Sequence, residues 1–381
     1  MIGGGALRSA SILEYLLTRY ETDVFCFVQN DPAGNPPNGS DFRPQGVGRW
    51  TNQPLPFHSK AILPRGLRNA LRLFRHVPPL VDRFAGFESA LRAACAGSRY
   101  DVAVIEHFWC ATYAKVLRPL CGRLVIDLHN IESVWHERSA REGGAVARAI
   151  HGRFAQAAAA LEEDLLPRFD LAIVTSKTDS RFLESRFPCL PVAVVKNTIP
   201  MQPPPSVLRE DEIVFSGYME YVPNQTAVLD FASKIWPSIA KCRRNTQWKV
   251  VGKSAAALSE ALANVPRTRL VSDPEDAMIE IASASVAVVP LRVGSGTRLK
   301  IVEAWAVGTP VVSTTLGAEG LECESGRDLL IADEPEEFAK KVLALLENPG
   351  WAGQIGANGR KRFEAAYTWR TAWDELAACG L

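Results

Sequence analysis

The residues best suited to do chemistry lie in one stretch, Val288-Val-Pro-Leu-Arg-Val-Gly-Ser-Gly-Thr-Arg-Leu-Lys-Ile-Val-Glu-Ala-Trp-Ala-Val-Gly-Thr-Pro-Val-Val-Ser-Thr314. A buried apolar strand runs into a loop holding Gly294, Ser295 and Gly296, and a helix is expected to start near Thr297. Glycines let a backbone approach a ligand closely, and a helix N-terminus offers unpaired N–H groups to an anion, so the loop suits a phosphate. Arg298 and Lys300 sit in the first helical turn, against the helix dipole, unless an anion compensates them. Glu303 follows in an otherwise apolar run, where a carboxylate needs either a cation or hydroxyl groups that donate to it. Cations one turn ahead of a hydroxyl-binding carboxylate suit a nucleoside diphosphate; an ion pair of Glu303 with Lys300 or another cation is the alternative.

Two further groups sit where open α/β sheets hold ligands, at the C-terminal ends of expected strands. They are Asp127-Leu-His-Asn-Ile-Glu132, with His129 and Asn130, and Glu106-His107. A lone histidine is as readily a satisfied structural residue. Gly3, Gly4 and Gly5 form a glycine turn just ahead of an expected helix over residues 7–19.

Short β-rich apolar runs alternate with longer helical patterns along the chain, the signature of parallel sheets covered by helices on both faces. Strands are expected at 23–28, 100–105, 124–128, 171–175 and 192–195, then at 212–216, 248–252, 269–271, 286–291 and 310–314. The clearest helices are 148–168, 224–242, 254–264, 276–284 and 298–307. Four prolines within residues 199–206 make an extended, semi-rigid connector. This gives a first domain over 1–205, a second over 206–360, and a last helical segment, 361–381, expected to pack back toward the first domain. Residues 31–56, rich in Pro, Gly and Asn, read as a long loop. The first domain lacks the opening strand that such a fold normally has, and a start upstream of Met1 is the favoured explanation.

The 381 residues carry 43 Lys and Arg against 42 Asp and Glu. Up to Pro205 the balance is 24 to 19, and beyond it 19 to 23, so net charges of +5 and −4 give the two halves different electrostatic characters. A net charge of +1 makes strong nucleic-acid binding unexpected. The eight cysteines are scattered without metal-ligand spacing, as reduced core thiols of a cytoplasmic protein would be. No run is apolar enough to span a bilayer, and the start has no signal-peptide pattern.

The strand, Gly loop, Arg-x-Lys-x-x-Glu-Ala helix and Gly-Thr-Pro-Val-Val run resembles the donor half of GT-B glycosyltransferases, especially family 4. Val214-Phe-Ser-Gly217 before Pro223-Asn224, Trp248-Lys-Val-Val-Gly252 and Tyr367-Thr-Trp369 strengthen the likeness, which is nearest to bacterial exopolysaccharide sugar transferases. The resemblance implies two Rossmann-like doubly wound domains facing across a cleft, and retaining, metal-independent hexosyl transfer from a UDP- or GDP-sugar without a cofactor. The acceptor would be a glycan or a polyprenyl-linked sugar.

By that resemblance Glu303 holds the ribose hydroxyls, Ser295 stands where relatives have a first motif Glu, and Gly217, Asn224, Gly252, Gly294, Gly296 and Thr297 border the donor. His129 falls near the donor sugar, while Gly4, Gly5, His107 and Asn130 face the acceptor side. The loop 217–224 lacks the Lys or Arg that clamps the diphosphate in many relatives, so Arg298 and Lys300 are expected to do so. A nucleotide-sugar epimerase of the same architecture and a non-catalytic nucleotide-binding protein are the alternatives. A dinucleotide oxidoreductase is disfavoured, because no G-x-G-x-x-G follows an expected strand.

Residues 60–92 carry Lys60, Arg65, Arg68, Arg72, Arg75, Arg83 and Arg92 among Leu67, Leu71, Leu73, Phe74, Leu80 and Phe84. This basic amphipathic pattern reads either as a solvated helix face beside a core face or as a contact to an anionic membrane at the inner side of the cytoplasmic membrane.

Overall fold

A computed structural model of the chain describes residues 4–29, 44–58, 61–142, 144–293 and 299–381. It divides into two compact units. The C-terminal unit comprises Met1–Ser11 and Lys196–Leu376, and the N-terminal unit Ile12–Val195 and Ala377–Leu381.

In the N-terminal unit the strands are β1 (Thr22–Gln29), β2 (Val47–Leu55), β3 (Tyr100–Glu106), β4 (Cys121–Leu128), β5 (Leu171–Val174) and β6 (Val192–Val194). Among the described residues they form two parallel ladders, β1-β2 and β3-β4-β5-β6. β5 and the second half of β4 are buried throughout, because helices cover both faces and unbroken apolar runs fit there. β1 and most of β3 are only half-buried. Side chains tie the two ladders: the Tyr100 hydroxyl donates to Asp23 Oδ2 at 2.9 Å. Phe27 packs against Phe84, Phe87 and Tyr113 with ring centroids 5.2 to 5.8 Å apart.

Three sequence expectations change here. The stretch 31–56 is not all loop, since β2 occupies its second half. Its Val-Gly-Arg-Trp-Thr-Asn-Gln-Pro-Leu composition hides a strand held by its ladder to β1. Gly4 and Gly5 lie within the first turn of the helix Gly4–Leu17 rather than in a turn before it, and no described strand precedes them. The cysteines are unpaired thiols, yet of the eight only Cys95 is buried, and Cys189 and Cys242 are exposed.

In the C-terminal unit the strands are β7 (Glu210–Ser216), β8 (Gln247–Gly252), β9 (Thr268–Ser272), β10 (Ala284–Val289), β11 (Val311–Ser313) and β12 (Leu330–Ile331). They form one parallel sheet in the order β12-β11-β10-β7-β8-β9. The chain therefore builds outward from β7 through β8 and β9, then returns to the other side of β7 for β10, β11 and β12, the winding of a dinucleotide-binding sheet. Trp236, Trp248, Trp305, Phe231 and Phe338 fill its core. The helix expected over 224–242 is interrupted by a wide π turn at Phe231–Ile235, ahead of Trp236-Pro237. Proline removes an N–H and crowds the preceding turn, so the helix widens there. The segment 200–209 forms no helix or strand. Next to it Ile199 bridges Thr368, Trp373 Nε1 donates to the Ser11 carbonyl at 3.0 Å, and Lys196 pairs with Glu375 at 3.0 Å. Among the described residues no helix is long and apolar enough to cross a membrane.

Lys249 in β8 has 1% of its side chain exposed, with Nζ 2.6 Å from Glu212 and 2.9 Å from Glu280. It also donates to Ser283 Oγ at 2.9 Å. Removing a single partner of a buried ion cluster leaves an uncompensated charge, a loss of about 3 to 5 kcal/mol. Lys249→Met is therefore expected to lower unfolding stability by about 3 kcal/mol or more, measured by denaturant titration, with Arg269 at 3.4 Å from Glu212 limiting the loss.

Candidate functional site

At the C-terminal ends of β7 and β10 the chain departs in opposite directions, and such switch points open the crevice in which doubly wound sheets bind ligands. Gly217 follows β7 and Gly252 ends β8. A Cβ on Gly252 would overlap the carbonyl oxygen of Gly217, and its φ of +139° is itself a glycine conformation. This close approach lets Gly217 N donate to the Val251 carbonyl and Met219 N to the Lys253 carbonyl, both at 2.9 Å.

The turn so fixed holds Asn224, whose Nδ2 donates to the Tyr218 carbonyl at 2.8 Å. Asn224 Oδ1 accepts from Lys300 Nζ at 2.7 Å. The same ammonium lies 5.0 Å from the centre of the Phe215 ring. A Cβ on Gly217 would stand 2.8 Å from Asn224 Nδ2 and 3.4 Å from Lys300 Nζ. Gly217, Asn224, Gly252 and Lys300 are thus brought together, and Lys300 is an anchored cation rather than a solvated one.

Lys300 and Glu303 share the helix Leu299–Ala306. Glu303 is half-buried between Val302 and Ala304, and burial raises its pKa while the Lys300 charge partly opposes the shift. No ion pair joins it to Lys300 or to any other described cation. Gly294, Ser295, Gly296, Thr297 and Arg298 lie outside the described residues. Sequence reasoning missed Lys253, whose ammonium lies 5.8 Å from the Tyr218 ring centre, and Glu220, which accepts from Ser254 Oγ at 3.3 Å. Their only signal is position, in the loops that follow Gly217 and Gly252.

The N-terminal unit holds the second group. His107 ends β3 in a left-handed conformation, φ +66°, with its N–H donating to the Asp127 carbonyl at 2.9 Å. Its ring stacks flat on Trp109, 4.2 Å between centroids, and lies 3.7 Å from that of His129. His129 Nε2 is 3.1 Å from Asp127 Oδ2, and both residues are buried. Asn130 follows half-buried, and Gly4 and Gly5 belong to the other unit.

Glu132 fixes the far side of this stack, its Oε2 accepting from Trp109 Nε1 at 3.0 Å. Burial pushes the Glu132 carboxyl up to about 7, opposed by the Trp109 bond and reinforced by Glu162. His136, 3.6 Å from Glu132 Oε1, is lowered to about 3 by burial and by His151, whose Nδ1 is 3.0 Å from its own. Among the described residues no group of His, Cys, Asp and Glu is placed to hold a metal ion.

Residues 210–348 match the family model described as glycosyl transferases group 1. A protein of Klebsiella pneumoniae, described as an uncharacterized 44.6 kDa protein in the cps region, is 22% identical over 283 residues, 71% of each chain. The MMP α-(1→4)-mannosyltransferase of Mycolicibacterium hassiacum is 35% identical over 105 residues, 26% of this chain and 25% of that one. The crystal structure of Anabaena Alr3699/HepE with UDP and glucose matches with a TM-score of 0.64 and 14% identity, covering 99% of this chain and 95% of that chain. The chain has the GT-B fold. The group 1 match spans β7 to the helix Pro335–Glu347, and so contains the Gly217, Asn224, Gly252 and Lys300 cluster.

The buried acid gives a prediction with a definite sign. Glu132 binds its proton more tightly folded, at about 7, than at its ordinary 4.5, so its contribution to stability falls as pH rises between those values. His136 acts oppositely from about 3 to 6.5, where only the unfolded chain takes up the proton. Glu132→Gln is expected to gain melting temperature relative to the native chain as pH rises from 4.5 to 7, and to hold that difference above 7, read by thermal unfolding across pH.

Proposed function

We propose that the protein transfers a hexosyl group from a UDP- or GDP-sugar to a glycan or polyprenyl-linked acceptor with retention, as a family 4-type enzyme of exopolysaccharide synthesis on the cytoplasmic side of the membrane. The observation that carries the reading is the anchored Lys300 ammonium beside Gly217 and Gly252 at the switch point, one turn ahead of a Glu303 carboxylate without an ion-pair partner among the described residues. The group 1 match over the same residues supports it, as does the cps-region relative.

In this reading the diphosphate lies over the loop Gly217–Asn224. Glu303 accepts hydrogen bonds from the ribose hydroxyls, which offsets the cost of a desolvated carboxylate. The acceptor oxygen forms its bond to the anomeric carbon on the face from which the nucleoside diphosphate departs. The acceptor proton leaves with that diphosphate, so no enzyme nucleophile is required. Lys300, together with Arg298, neutralises charge growing on the leaving group, a contribution of about 3 kcal/mol for a well-placed donor. Lys300 swings from Asn224 Oδ1 to a phosphate oxygen, while Asn224 stays held by the Tyr218 carbonyl. Neither a metal nor a cofactor takes part.

Two measurements test this. UDP or GDP at a hundred times its dissociation constant should stabilise the protein by about 2.7 kcal/mol in thermal unfolding. Glu303→Ala should weaken that nucleotide roughly tenfold or more. With a turned-over nucleotide sugar, Lys300→Ala should lower kcat about a hundredfold with little change in KM, the pattern of a contact made mainly in the transition state. No stabilisation by any nucleoside diphosphate would overturn the reading. Conversion of the donor to a sugar epimer without acceptor would replace it by the epimerase, and binding without turnover by the non-catalytic alternative.

A further inference from the structure

The helix Ile62–Phe74 is packed inside out. Successive helical residues advance by about 100°, so Leu63, Leu67, Leu71 and Phe74 fall within an arc of about 80°. They are the most apolar side of the helix, and they are exposed by 85%, 66%, 53% and 85% respectively. The side turned to the protein carries Arg68, Asn69, Arg72 and Leu73. Arg72 is buried, with Nε 2.9 Å from Asp82 Oδ2 and Nη1 donating to Asn69 Oδ1 at 3.2 Å. Of the two sequence readings of residues 60–92, the core face is therefore ruled out for Leu67, Leu71 and Phe74; Leu73, Leu80 and Phe84 are half-buried, and Lys60 lies outside the described residues.

We propose that this face docks the protein on an anionic lipid bilayer, the arc Leu63, Leu67, Leu71 and Phe74 entering the boundary between headgroups and acyl chains. Charge complementarity selects this occupant. The helix carries three arginines and no acidic residue, with Arg75 directly after it, in a chain whose net charge is only +1. Arg75 is exposed beside the arc and Arg68 is half-buried just beyond it, where lipid phosphates neutralise them, while Arg65 falls on the far side; Arg75 also reaches Asp82 at 2.9 Å. Apolar insertion with flanking cations is the way amphipathic helices hold an interface without crossing it. The inference does not depend on the transfer reaction.

The test is flotation of the full chain with vesicles of phosphatidylcholine alone and of phosphatidylcholine mixed with phosphatidylglycerol. Binding is expected only to the mixed vesicles, falling as salt rises. Leu67→Asp combined with Leu71→Asp should reduce it roughly tenfold or more. Both positions are exposed, so melting temperature should not change, and Leu63→Ser with Phe74→Ser provides a second, milder pair. Absence of binding by the native chain would overturn the proposal, as would equal binding by folded variants. A native dimer in sedimentation that Leu67→Asp with Leu71→Asp dissociates, without vesicle binding, would overturn it in favour of self-association.

Discussion

Two backbones in contact set the geometry of the C-terminal unit's site. Gly252 lies so near the Gly217 carbonyl that a methyl group could not stand between them. That absence of side chains extends the β7–β8 pairing past the strand ends, through the Gly217 and Met219 N–H groups. The turn after β7 is thereby fixed, Asn224 faces the helix Leu299–Ala306, and the Lys300 ammonium acquires a definite position. A long flexible cation is otherwise costly to order. Here two glycines and one amide do that ordering within the fold itself.

Buried charge is treated in three ways in this protein, and the differences separate structure from chemistry. Lys249 is surrounded by Glu212, Glu280 and Ser283, so its charge is answered within the fold. Glu132 is answered by a neutral donor, the Trp109 indole, and burial brings its proton affinity to neutrality. Glu303 has no ion-pair partner among the described residues, and its desolvation is opposed by the charges of Lys300 and of the amino terminus. A desolvated carboxylate of this kind can be offset by cations or by hydroxyl groups that donate to it.

The strand positions were legible because parallel strands buried on both faces read as short continuous apolar runs, as in β4, β5 and β10. β2 was not, because an edge strand carrying Arg49, Asn52, Gln53 and Pro54 derives its structure from pairing rather than from its own hydropathy. Lys300 and Glu303 read from their spacing as a candidate phosphate and hydroxyl pattern; Asn224 was singled out only by resemblance, as a residue bordering the donor, and its bond to Lys300 could not be foreseen, since 76 positions separate them. Lys249 looked like an ordinary residue of a strand motif. Nothing in its neighbours along the chain reveals Glu212 and Glu280. The helix Ile62–Phe74 shows the same limit differently. Periodicity reveals that an apolar stripe exists, and which side of it meets the protein is decided by Asp82, outside the helix.

The N-terminal unit poses a different mechanical problem, since β1 and β3 face each other's ladders without strand pairing among the described residues. Aromatic packing does what a backbone ladder would otherwise do. Phe27 on β1 meets Phe84, Phe84 stacks on Trp109, and Trp109 stacks on His107 at the end of β3. The chain of rings is fastened at its end by Glu132 and beside it by the Tyr113 hydroxyl, which donates to the Phe84 carbonyl. The left-handed backbone at His107 is unfavourable for a residue with a Cβ, and it persists because ring stacking and the bond to the Asp127 carbonyl both require it. The imidazole of His107, and with it the approach to His129, is therefore positioned by the same contacts that join the two ladders. Fold stability and site geometry in this unit cannot be altered separately at Trp109.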